Sequence, residues 1–275
     1  MEERSHEQSQ QEFDAAAWAA AKKQEREMLY TKVDELVDEA LSDVNALNAY
    51  LSVQGRLGKA SMINSLLVAE NHPDASNLKS FDDWKRYGRS IKKGEEGIKI
   101  LAPTGEYMRS DGSKRMNFGV KRVFDVAQTR GKNEWKRFAP SIRSALKAVT
   151  AKTTVPIRFD DGVSKSIGAL YSNDGNSILV ARDMDNNDLF FCVTRELARA
   201  DGCDNTFLCD CIANITCYRY GIEPKLPDAV PPEFAELGNK DKRDALSIIH
   251  DTACDMMERI DRNLQAERSK NEPER

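Results

Sequence analysis

The segment with the most chemistry in reach is Trp84-Lys85-Arg86-Tyr87-Gly88-Arg89-Ser90-Ile91-Lys92-Lys93-Gly94-Glu95-Glu96-Gly97, which interleaves cations with aromatic rings and ends in a glycine-bracketed turn. Ammonium and guanidinium groups neutralise phosphates, and an exposed ring stacks a base with roughly 1–3 kcal/mol, so the mixture suits single-stranded nucleic acid. The same residues also fit a plainer account, in which Trp84 is core and the cations form a solvated face.

Other chemistries find less support. The histidines are His6, His72 and His250, and none has a Ser or Cys partner visible in the sequence. Neither GxxxxGK[ST] nor GxGxxG occurs, and Gly94-Glu95-Glu96-Gly97 is too acidic to cradle phosphate and reads as a turn. Cys203, Cys209, Cys211 and Cys217 lack the paired short spacings of a structural zinc site. On a helix, Cys209, Ala213 and Cys217 form one narrow stripe, which is the pattern of core packing.

The net charge is −4 and charged residues make up 31% of the chain. That mean conceals a division: residues 79–136 hold 15 Lys and Arg against 8 Asp and Glu, whereas residues 151–275 hold 16 against 23. A basic middle in an acidic protein implies a local anionic partner. The six cysteines all fall in the second half of a chain too large to need disulfide stapling, which implies a reducing, cytoplasmic setting. Met1-Glu2-Glu3-Arg4 has no apolar run behind it and no stretch approaches the roughly 20 residues of a spanning helix, so no membrane partner is expected.

Elements to position these residues follow from periodicity. Residues 12–48 read as one helix, with Leu29, Val33, Leu36, Val37, Leu41 and Val44 at spacings of three and four, preceded by a frayed Ser5–Gln11 stretch. A second helix is expected over 61–70, and Ser80 with Asp83 reads as the capped start of a short helix carrying Trp84. Strands over 97–101 and 118–124 form a long hairpin, and residues 130–134 have the polarity of a linker. Beyond it come a helix over 141–149, a small antiparallel sheet over 156–180, helices over 187–200 and 206–220, and a last amphipathic helix from about Asp241.

Ordered blocks in the first half carry a family resemblance. Asn64-x-Leu66-Leu67, His72-Pro73-Asp74-Ala75, Phe81-x-x-Trp84, Gly88-Arg89, Ile91-Lys92-Lys93-Gly94-Glu95, Gly97-Ile98-Lys99-Ile100, Pro103 and Val123-Phe124-Asp125-Val126-x-Gln128-Thr129 together resemble the N-terminal domain of ArdC-type antirestriction proteins of conjugative elements. The resemblance covers roughly residues 47–129 and implies binding of single-stranded DNA. From charge, the residues expected to meet the strand are Lys85, Arg86, Tyr87, Arg89, Lys92, Lys93, Lys99, Lys121 and Arg122.

The family also implies a zincin-like metallopeptidase domain whose active helix reads His-Glu-x-x-His. The matching slot here is Arg195-Glu196-Leu197-Ala198-Arg199, with arginine at both histidine positions and Asp210 where a further acidic ligand could fall. A protonated guanidinium has donors and no lone pair to give a metal, and Glu196 then has no metal-bound water to deprotonate. Pairing of Glu196 with Arg199, three residues on, is the expected residual role, worth only a few tenths of a kcal/mol if exposed.

The reading is an α+β chain: a helical arm (1–45), a basic α+β single-stranded-DNA-binding domain (46–130), a degenerate zincin-like α+β domain (131–265) and a disordered tail (266–275). It is expected to be non-enzymatic, without catalytic residues, metal or cofactor, and to shield incoming DNA. The alternative is a pseudo-peptidase that docks a protein partner through its C-terminal domain.

Overall fold

The computed structural model describes residues 15–109 and 111–271. The Ser5–Gln11 stretch lies outside the described residues.

The first apolar stripe is divided between two helices. Helix α1 (Ala15–Ala40) buries Val33, Leu36, Val37 and Ala40, and α2 (Val44–Leu57) starts anew. The break falls at Asp43, whose carboxylate accepts the N–H groups of Asn45 and Ala46 at 2.8 and 2.9 Å. Such a cap satisfies the orphan donors of a new first turn, so the single helix expected over 12–48 ends early. Helix α3 (Met62–Asn71) follows, capped by Ser61.

The basic region combines a three-stranded sheet with a two-stranded ribbon. Strands β1 (Leu78–Lys79), β3 (Ile98–Met108) and β4 (Lys114–Asp125) lie in the antiparallel order β1-β4-β3. Helix α4 (Phe81–Arg86) leads into β2 (Arg89–Ile91), which pairs antiparallel with β5 (Thr129–Gly131). Residues 129–131 are therefore a strand, and the expected linker begins only after them. The β3–β4 hairpin runs from Ile98↔Val123 out to Met108↔Lys114, well past the expected strands. Its outer half is exposed on both faces and so carries no period-two hydrophobic signal.

In the second half, α5 (Ile142–Thr150) precedes a sheet of β6 (Ile157–Phe159), β7 (Ala169–Ser172) and β8 (Ser177–Val180) in the order β6-β8-β7. Strand β7 pairs antiparallel with β8, but β6 pairs parallel with it, which corrects the expectation of a wholly antiparallel sheet. Residues 160–168 cross from β6 to the far edge and reverse the direction. Helices α6 (Asn186–Ala200), α7 (Thr206–Tyr220), α8 (Pro232–Ala235) and α9 (Asn239–Asn271) complete the chain. Helix α9 continues through Asn271, so the expected disordered tail from 266 is helical over its described part.

The main hydrophobic core ignores the expected divisions at 45/46 and 130/131. Val33 and Val37 of α1, Leu47 and Leu51 of α2 and Leu66 of α3 share one cluster with α5, α6, α7 and α9. Helix α2 lies so near α7 that a Cβ on Gly55 would stand 2.4 Å from the Ile215 carbonyl oxygen. A second, smaller cluster of Val53, Val68, Ala69, Ala75, Ile98 and Val123 seats the hairpin on the opposite faces of α2 and α3.

Candidate nucleic-acid interface and arginine cluster

Trp84 is fully buried and donates its indole N–H to the Phe124 carbonyl at 2.8 Å, anchoring α4 to the end of β4. Tyr87 meets it edge-on at 6.0 Å but stays 38% exposed. The Lys79 ammonium lies 5.7 Å from the Trp84 ring centroid and 5.9 Å from that of Tyr87, within cation–π range of both. Between α4 and the hairpin runs an open groove of about 600 Å³, with Ile100 and Val123 as its floor and Lys79, Arg86, Tyr87 and Lys121 around it. Its one carboxylate, Asp83, pairs with Arg86 at 2.7 Å.

Alternation along β4 extends this surface. Arg115, Asn117, Gly119, Lys121 and Val123 share a face, and Tyr107 stands directly opposite Arg115. Two exposed tyrosines and several cations thus follow one another from α4 to the tip of the β3–β4 hairpin.

Of the nine residues expected to meet nucleic acid, the groove gathers Arg86, Tyr87 and Lys121. Lys85 and Lys93 are exposed elsewhere on the surface. Arg89 is occupied: its guanidinium donates to the Thr129 hydroxyl at 2.7 Å, the Thr129 carbonyl at 3.2 Å and the Asn133 carbonyl at 2.6 Å, tying β2 to β5. Lys92 stays exposed, and its ammonium donates to the Ala127 carbonyl at 2.7 Å. Lys99 pairs with Glu25 of α1 at 3.0 Å, and Lys22 and Lys99 together hold the Glu25 carboxyl down at about 2. Arg122 lies on the opposite face of β4 from Lys121, against Gly97. The sequence reading missed Lys79, Tyr107 and Arg115. The cross-strand register that would reveal them depends on the silent outer half of the hairpin.

In the second half, Asp185 caps α6, which delivers Arg195, Glu196 and Arg199 to one place, and α7 adds Asp210. Glu196 is 2% exposed. It accepts the Arg195 Nε–H at 2.7 Å and the Tyr171 backbone N–H of β7 at 2.9 Å, and stands 3.6 Å from Arg199 Nε. Arg195, not Arg199, is therefore its principal partner. The second arm of Arg195 donates to the Ile167 and Ala169 carbonyls at 3.1 and 3.0 Å, and Arg199 donates to the Thr206 hydroxyl at 2.7 Å. Burial raises the Asp210 carboxyl above its usual range against the pull of Arg195, 4.0 Å away.

Every cation in this cluster is a hydrogen-bond donor already engaged with oxygen. Two guanidinium groups at the positions that would ligate a metal offer it no lone pair, so these residues do not fit a divalent ion.

The fold has counterparts among solved structures. The metal-free crystal structure of the antirestriction ArdC protein from the R388 plasmid aligns with a TM-score of 0.53 at 15% identity, over 85% of this chain and 96% of that one. The chain has the ArdC fold. The Mn(II)-bound structure of the same plasmid protein aligns at 18% identity over 74% and 86% of the two chains, with a TM-score of 0.46. No protein-family model and no curated protein sequence matches the chain. Among the described residues, no helix of this ArdC-fold chain is long and apolar enough to cross a membrane.

The remaining reactive groups lie elsewhere in the fold. Cys209 and Cys217 are buried in the core, as their spacing with Ala213 implied, and Cys211 is buried beside them. His250 does have a thiol neighbour, contrary to the sequence reading: Cys254 Sγ, one turn along α9, lies 3.6 Å from Nε2. The ring nitrogens also face the Asp251 carboxylate at 2.7 Å and the Ala60 carbonyl at 3.0 Å. Contact with Cys254, then with Asp251 and Ala60, raises the imidazole to about 9 against the opposing effect of burial. The cavity beside Cys254 measures about 20 Å³, room for about one water and no substrate. This histidine latches α9 to the turn after α2.

Proposed function

We propose that this protein binds single-stranded DNA through the groove between α4 and the β3–β4 hairpin, as an antirestriction-like factor of a mobile element, and performs no peptidase chemistry. The observation that carries the reading is the grouping of Lys79, Arg86 and Lys121 around the exposed ring of Tyr87 on an apolar strand floor. Cations along a backbone track and a ring to stack on are what a flexible strand requires. The buried Trp84 is the scaffold of this platform, and Tyr87 is its contact surface.

The absence of peptidase activity is proposed on the arginine cluster, where Glu196 is held between two guanidinium groups. The ArdC fold supports the antirestriction part of the reading. The test is anisotropy of labelled single- and double-stranded oligonucleotides at two salt concentrations, with the intact protein and a Lys79→Ala/Arg86→Ala/Lys121→Ala variant. Tighter binding of the single strand, weakened at least tenfold in the variant, supports the proposal. Equal affinity of the two proteins for DNA would overturn it and favour docking of a protein partner instead.

A further inference from the structure

The second half of the chain is acidic, with 16 Lys and Arg against 23 Asp and Glu over residues 151–275. One cavity there departs from that balance. It lies between α5, β6 and the start of α6, measures about 520 Å³, and is lined by Arg143, Lys147 and Arg158 but by no carboxylate. Lys147 shares its charge with Glu267 at 3.2 Å. Arg143 and Arg158 have no ion-pair partner among the described residues.

Beneath the cations the walls are hydrocarbon: Leu146 of α5, Ile157 of β6, Val180 of β8, and Leu189 and Val193 of α6. Phe159 stands at the mouth, 59% exposed, with the Arg182 guanidinium 5.7 Å from its ring centroid. Binding cavities for small organic ligands span about 300–1,000 Å³ and combine an apolar lining with a few placed polar groups. Arg143 has no counter-charge on this rim and Lys147 shares one carboxylate, so an anion entering between them is attracted by both.

We propose that this cavity is a binding site for a small amphipathic anion, whose carboxylate or phosphate meets Arg143 and Lys147, one turn apart on α5, while an alkyl or aryl body covers Leu146, Leu189 and Val193. A DNA strand presents phosphates without a compact apolar body and leaves the hydrocarbon walls wet. The site is separate from the arginine cluster, since β6 and β7 are the two opposite edges of the sheet.

The test uses the full chain and the fluorescent probe 8-anilinonaphthalene-1-sulfonate, with decanoate, decyl phosphate, decyltrimethylammonium and a single-stranded oligonucleotide as competitors. One saturable probe site is expected, displaced by decanoate or decyl phosphate and not by the cation or the oligonucleotide. The relative strength of the two anions identifies the preferred head group. Arg143→Gln/Lys147→Gln should weaken the probe at least tenfold, and a circular-dichroism melt matching the parent shows that the variant is folded. Lys165→Gln, at an exposed cation outside the cavity, should keep the affinity within a few-fold. Unchanged probe affinity in the folded double variant, or displacement by decyltrimethylammonium or the oligonucleotide as effective as that by decanoate, would overturn the proposal.

Discussion

Arg195 donates its Nε–H at 2.7 Å to Glu196, the next residue along the same helix. Consecutive helical side chains diverge, so this contact requires the guanidinium to fold back across the helix. Its other arm meets the carbonyls that lead into β7, while Glu196 accepts a backbone N–H from β7 itself. The two residues act as one clasp between helix and sheet. Removing Glu196 leaves two guanidinium groups without their buried counter-charge, a loss of about 3–5 kcal/mol. Glu196→Ala should therefore lower the denaturation midpoint strongly, and a change below about 1 kcal/mol would show that the cluster is effectively solvated.

The same clasp leaves no work for a metal. Dialysis against EDTA, followed by calorimetry with and without added Zn²⁺ or Mn²⁺, should leave the melting temperature unchanged within a degree or so, because an ion that binds only the folded state raises it in proportion to its occupancy. A reproducible stabilisation at micromolar metal would contradict this.

Lys79 and Lys121 should separate from Arg89 in their effects. Alanine at both lysines should reduce the slope of log affinity against log salt for single-stranded DNA by about 1.4, at roughly 0.7 per phosphate contact, with little change in stability. Arg89→Ala removes three hydrogen bonds that join β2 to β5 and the following loop, so stability should fall by about 1–3 kcal/mol. The salt titrations and melts together distinguish the two classes.

Trp84 and Tyr87 form a second contrasting pair. Trp84→Ala empties a buried site and should cost about 3–5 kcal/mol of folding stability. Tyr87→Ala should leave the melt nearly intact and weaken oligonucleotide binding by the roughly 1–3 kcal/mol of one stacked base. Equal affinity losses at matched stability would assign both rings to the contact surface.

His250 sets a pH dependence whose sign is fixed by its raised value of about 9. Its contribution is fully present below the unfolded value near 6.5 and is lost as pH rises through 9. With the ring partly open to solvent, the loss between pH 6 and pH 10 should be on the order of 1 kcal/mol. Thermal melts across that range should show the decline, and His250→Gln should flatten it.

The parts legible in the sequence are those written in local patterns. Ser80 and Asp83 mark the start of α4, and Cys209, Ala213 and Cys217 mark a buried face of α7. The meeting of Arg195, Glu196, Arg199 and Asp210 follows from one helix and its neighbour, although the burial of Glu196 depends on β7, twenty-five residues earlier. What stayed hidden rests on pairing over distance. Lys79 joins the groove through β1, a two-residue strand, and Tyr107 faces Arg115 only because of the hairpin register. Arg89 and Lys92 have the same charge as their neighbours, and only the carbonyls opposite them reveal that they are occupied.

Helices α2 and α3 each serve both hydrophobic clusters, through Leu51 beside Val53 and Leu67 beside Val68. Whatever separates the two chemistries along the chain, they have a common mechanical spine. A chain cut after residue 130 would expose Leu47, Tyr50 and Leu51, the face now covered by α7, whose packing leaves no room for a methyl group at Gly55. The second half thus has a structural role that does not depend on any chemistry it carries. Each half of the chain is part of the other's interior.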